Sequence, residues 1–219
     1  MTAATRTRTL GWFGAVLVSA VATGAAIGLA AGRVRGDRMA PWILGRATGI
    51  CAYLVLVGVV LLGLTLSHPR RARMGRSAAS RMRAHVTLSL LALALLGLHV
   101  VVLATDRYAG VGWAGAALPM GAHYRPAAVT LGVVGAWIGL LAGLSAAAAG
   151  RLPRRLWWPL HKVAAVSLVL IWLHGVLAGS DTPALLALYV GTGAAVLVAA
   201  GHRYLSRSRP QLTATEGSR

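Results

Sequence analysis

Acidic residues are almost missing from this chain. Four Asp and Glu stand against 22 Lys and Arg, and all but one of the basic residues are Arg. Charge of either sign is also scarce, at 12% of residues, whereas 57% are hydrophobic. A soluble domain carries about 25% charged and about 45–50% apolar residues, so this composition excludes one, and it excludes disorder too. The formal charge of +18 does not indicate nucleic acid. Such binders spread Lys and Arg over a polar surface, and here long stretches carry no charge. Cysteine occurs once, as Cys51, which excludes an intrachain disulfide and an iron–sulfur cluster. No glycine-rich fingerprint follows a strand, so no dinucleotide-binding domain is expected. An integral membrane protein remains.

A helix crosses the hydrocarbon core with roughly 20 apolar residues. Six stretches qualify, at residues 11–32, 43–67, 85–105, 127–150, 157–180 and 183–201. Proline is absent from the middle of each. Pro41, Pro126, Pro159 and Pro183 fall near the expected helix starts, where a missing N–H does little harm. Thr182 reads as an N-cap. Cys51 reads as a small apolar core residue. Arginines in short loops set orientation. Arg6, Arg8, the Arg70–Arg83 cluster, Arg151, Arg154, Arg155 and the basic residues after the last span form the larger set. Both termini are therefore expected in the cytoplasm, with membrane lipid as a partner and no nucleic acid. The expected organisation is a cytoplasmic segment 1–10, a six-span domain 11–201 and a disordered tail 202–219.

Four of the seven histidines stand apart. His85 and His99 fall in the third span, His161 and His174 in the fifth. Ionisable groups inside a membrane point to function by default. Interhelical hydrogen bonding would account for one buried His, but it accounts poorly for four confined to two helices. The third and fifth spans run parallel. Spacings of 14 and 13 residues rise about 21 and about 19.5 Å. His85 and His161 then share an inner depth, and His99 and His174 an outer one. Two histidines at one depth can ligate one iron from both faces, and two levels make a stack of two bis-histidine haems. With no C-x-x-C-H the haems are b-type. One zinc cannot join ligands about 20 Å apart when Zn–N bonds are about 2 Å. The 13-residue spacing misses its face by about 140°, so a bend, a tightened turn or a different imidazole approach is needed.

Haem propionates need cationic partners. Arg81, Arg83, Arg155 and Lys162 lie near the inner pair, and Arg46 and Arg125 are the outer candidates. Trp137 and Trp172 are read as lipid-facing or core residues, and Trp157 with Trp158 as an interfacial belt. The outer connection 106–126 is expected to cover the outer level, with His123, Tyr124 and Arg125 as candidates for an acceptor site.

At these residues the chain resembles the ferric-reductase-like transmembrane domain family, which includes ferric reductases, NADPH oxidases and the haem subunit of bacterial methionine sulfoxide reductase systems. His85, His99, His161 and His174 match its signature of two histidine pairs on the third and fifth helices. Trp157-Trp158-Pro159-Leu160-His161-Lys162 is similar to its aromatic and basic lead into the fifth-helix histidine. The resemblance covers residues 43–201. It implies an all-α six-helix bundle binding two stacked b haems in the inner membrane. It also implies an oxidoreductase component carrying electrons to an external acceptor, ferric iron or a redox protein. Only a short tail follows the sixth span, so a separate donor is expected: a flavoprotein, a flavin or quinol. The alternative is a haem-free transporter or channel whose histidines relay protons.

Overall fold

A computed structural model describes residues 39–67 and 75–205, with side chains of the second helix from residue 78. It is all-helical. The helices are α1 (Ala40–Leu66), α2 (Gly75–Thr105), α3 (Gly112–Ala117), α4 (Pro126–Ala147), α5 (Arg154–Lys162), α6 (Ala164–Ala178) and α7 (Thr182–Leu205). Among the described residues five helical segments are long and apolar enough to cross a membrane, α5 and α6 together forming one of them. The expected first span at 11–32, the segment 1–10 and residues 206–219 lie outside the described residues.

The bundle is two antiparallel helix pairs with α7 packed beside them. α1 lies along α2, and α4 lies along α5 and α6. Register in the first pair follows from close approaches. Gly45 faces Leu103, Gly49 faces His99 and Gly63 faces His85, so the α2 number falls as the α1 number rises. In the second pair Gly132 faces His174, Gly135 faces Ile171 and Gly139 faces Ser167. Small residues let the backbones of these apolar helices come close, which is how membrane helices gain packing without a hydrophobic drive. α7 closes the bundle through Tyr189, which is buried with Tyr53, Val57 and Leu168.

Several boundaries differ from expectation. α2 begins about ten residues before the expected start at His85, because Arg is a good helix former whose stem lies along apolar surface while its charge reaches the interface. Pro41, Pro126 and Pro183 stand in the first turns of their helices, but Pro159 lies inside α5. Thr182 does not cap. Its hydroxyl donates backward to the α6 carbonyls, the shortest contact being 2.8 Å to Val176, while the Asp181 carbonyl accepts from Leu185 N–H. Cys51 is exposed rather than in the core. Residues 202–205 belong to α7 rather than to a tail, and Arg203 among them is buried.

The segment between α2 and α4 folds over the end of the bundle nearest His99 and His174. Trp137 Nε1–H donates to the Ala117 carbonyl at 3.1 Å, and Met120 N–H to Thr130 Oγ1 at 2.7 Å. Tyr124 donates its hydroxyl to the Ala178 carbonyl at 2.9 Å and packs edge-on against Trp42.

Candidate functional site: two histidine pairs in one cavity

A cavity of about 710 Å³ runs through the bundle, and His85, His99, His161 and His174 all line it. They meet in pairs. The ring centres of His85 and His161 are 6.2 Å apart, and those of His99 and His174 are 6.4 Å apart. The planes cross at 81° and 78°. A metal–imidazole bond of about 2.0–2.1 Å, plus about 1.1–1.2 Å from ring nitrogen to ring centre, sets two opposed ligands of one metal about 6.3 Å apart. Both pairs match that separation. Among the described residues no three His, Cys, Asp or Glu side chains group around one point. A haem iron needs only two protein ligands, because its macrocycle supplies the rest.

Each imidazole is oriented by a backbone carbonyl on the neighbouring helix. His99 Nδ1 donates to the Gly45 carbonyl at 2.7 Å and His85 Nδ1 to Val59 at 3.1 Å, both on α1. His174 Nδ1 donates to Ala128 at 2.9 Å and His161 Nδ1 to Ala142 at 3.4 Å, both on α4. A carbonyl can only accept, so Nδ1 carries the hydrogen, and in the neutral ring Nε2 then keeps its lone pair for a metal. This is the arrangement metal-bound histidines use to fix tautomer and ring orientation.

The acceptors follow a pattern. Gly45 and Val59 are 14 residues apart, as are Ala128 and Ala142. Each carbonyl already accepts a bond from the N–H four residues on, so a ring approaching it also approaches that residue. That position is Gly49 for His99, and a Cβ there would stand 2.7 Å from Nδ1. It is Gly132 for His174, again at 2.7 Å, and Gly63 for His85, at 3.3 Å from Cε1. For His161 it is Ala146, and that hydrogen bond is the longest of the four. Between the levels Ser167 uses the same device. Its hydroxyl donates to Gly135 at 2.7 Å, over Gly139.

The 13-residue spacing is accommodated in part by a tightened turn. α5 and α6 are interrupted at Val163, where Val163 N–H bonds Leu160 and Val166 N–H bonds Val163, each three residues back. Such a turn advances about 120° per residue against about 100° in an α-helix, recovering about 60° over three residues.

The flanking candidates divide. Arg46 lines the cavity, forms an ion pair with Asp181 and lies 5.7 Å from the Trp42 ring. Its guanidinium retains further N–H donors. Lys162 lines the cavity with its ammonium 5.3 Å from the Trp158 ring, and Trp158 stacks on His161. Arg83 is exposed and borders a separate depression with Ser80, Ala84, Thr87 and Leu88. Arg125 is exposed and donates to the Leu177 carbonyl at 2.7 Å. His123 is exposed, whereas Tyr124 lines the cavity. Trp172 is held in the bundle by a bond from Nε1 to the Tyr189 carbonyl, and Trp137 is exposed.

Sequence reasoning missed the glycines and Arg203. The 14-residue interval between Gly49 and Gly63 repeats that of His85 and His99, a signal usable only once α1 is known to pair with α2. Arg203 was hidden among so many arginines. Comparison of the chain with protein-family models, with curated proteins and with solved structures finds no match.

Proposed function

We propose that this chain is a transmembrane electron-transfer subunit of the ferric-reductase-like type, holding two b haems, one on His85 and His161 and one on His99 and His174. The observation that carries the reading is the matched pair of ring separations, 6.2 and 6.4 Å, with every Nδ1 tied to a carbonyl. His85 with His161 and His99 with His174 would hold the two haems, which would supply single-electron transfer. The residues do the rest. The α1 and α4 carbonyls orient each imidazole. The glycines beside them let the rings seat. Apolar lining such as Leu56, Val60, Leu93 and Val133 keeps water from the space between levels. Arg46 supplies positive charge at the outer level, shared with Asp181.

The Arg-rich connections support a cytoplasmic position for the His85/His161 level. With haem bound, electrons would enter there from a flavoprotein, a flavin or quinol and would leave at the outer level to ferric iron or a redox protein. Proton relay fits less well, because four Nδ1–H groups end on helical carbonyls that pass no proton onward.

An absorbance spectrum of the purified protein, with and without dithionite, tests this. A reducible low-spin b-type spectrum with about two haems per chain is the expected result. A colourless preparation from haem-replete cells would sink the reading.

A further inference from the structure

Arg203 is the one described arginine enclosed by the bundle, at 6% exposure. It stands in the last turn of α7. Its Nε–H donates to Ser67 Oγ at 3.0 Å, at the inner end of α1. Its Nη1 is buried and has no hydrogen-bond partner among the described residues. Arg203 also lines the central cavity. A buried guanidinium cannot shed its proton, and leaving its N–H groups unmet is costly. The two described carboxylates that could neutralise it, Asp106 and Asp181, belong to the opposite, outer end.

The position relates it to one histidine level. Gly63 on α1 packs against His85, and Ser67 follows four residues later. One helical turn is about 5.4 Å, so Arg203 sits about one turn from the inner level, toward the inner face. Lys162 and Arg154 line the same end of the cavity, both drawn over Trp158. The inner end therefore holds cations facing a cavity without a described anion.

We propose that Arg203, seated on Ser67, is the anchor for an oxyanion at the inner level, and that this oxyanion is a propionate carboxylate of the group held by His85 and His161. The inference rests on the haem reading above. A planar guanidinium offers a carboxylate two parallel N–H donors. Ser67 occupies Nε and leaves the four Nη N–H donors for another partner. Arg203 thus positions the group and sets its electrostatics without being a ligand to it.

The test is a redox titration of the purified full-length protein, wild type against R203Q and R203K, with haem content measured in parallel. H85A and H99A assign the two potentials to the inner and outer levels. Loss of a nearby positive charge disfavours the electron-richer reduced state. In R203Q the inner potential should fall, by about tenfold in the one-electron equilibrium, which is about 59 mV, while the outer potential stays. R203K should keep haem content and shift the inner potential less, and it carries the test if R203Q does not fold. A free phosphate is the other oxyanion the site could take. It would make the wild-type inner potential depend on phosphate concentration in the buffer, whereas a propionate leaves it independent. Unchanged inner potentials in both variants, or phosphate dependence, overturn the proposal. A wild-type protein without haem overturns the functional reading instead, and that is seen before any variant is made.

Discussion

A histidine in an apolar helix has two ring nitrogens to satisfy, and the neighbouring backbone answers for one of them. Because Nδ1 of each intramembrane histidine meets a carbonyl on α1 or α4, the other nitrogen is left for chemistry. If the pairs share irons, single substitutions act in twos. H85A and H161A should each lose the same haem, and H99A and H174A the other, each leaving about one haem per chain. Pyridine haemochrome quantification reads this directly, and four variants losing haem independently of the pairing would contradict it. The glycines give a sharper test. In G132A a methyl would stand 2.7 Å from His174 Nδ1, so the outer haem should be lost or its spectrum altered, at a cost of about 1–3 kcal/mol for overpacking. G97A, two residues before His99 but with open space around it, should leave both haems in place and stabilise α2 by up to ~1 kcal/mol. Equal behaviour of the two variants would remove the role assigned to Gly132.

Helix ends and interruptions decide how the histidines face one another. The tightened turn at Val163 lies between His161 and His174, where the sequence spacing required a correction. At the other end of α6, the Thr182 hydroxyl serves carbonyls that the helix leaves unpaired. T182V keeps the shape and removes the donor. It should cost about 1 kcal/mol, lowering the thermal midpoint by about 2–4 °C with haem content unchanged. Loss of haem in T182V would show instead that the α6–α7 junction controls the outer level. The segment around α3 is tied to the bundle at Thr130, Ala178 and Trp137. It covers the outer level and leaves His123 exposed, while Tyr124 faces inward.

At the scale of the whole chain, the basic residues are an address. Short loops rich in Arg stay on the cytoplasmic side, so the connection 106–125 should be external and the connection 148–153 internal. In a C51A background, a cysteine at Tyr108 should react with a membrane-impermeant maleimide on intact cells. A cysteine at Arg151 should react only after permeabilisation. The reverse labelling would invert the electron path. The bundle itself is two helix pairs in which one helix carries histidines and its partner supplies carbonyls 14 residues apart. That repetition is what stacks two levels about 20 Å apart within one bundle.

Much of this was present in the residues alone. Hydropathy located the five described spans to within a turn or two at most ends, because burial in lipid depends on composition rather than on partners. The start of α2 is the exception, because charged residues can continue a helix beyond the hydrocarbon. The two histidine pairs and their shared depths also followed from spacing, since rise per residue is a constant of the helix. What spacing could not determine was which carbonyl each imidazole would meet, why Gly49 and Gly132 are glycines, and that Arg203 is enclosed while Arg83 is not. Those depend on contacts between segments distant in sequence, and one face of an apolar helix looks much like another until a second helix is laid against it.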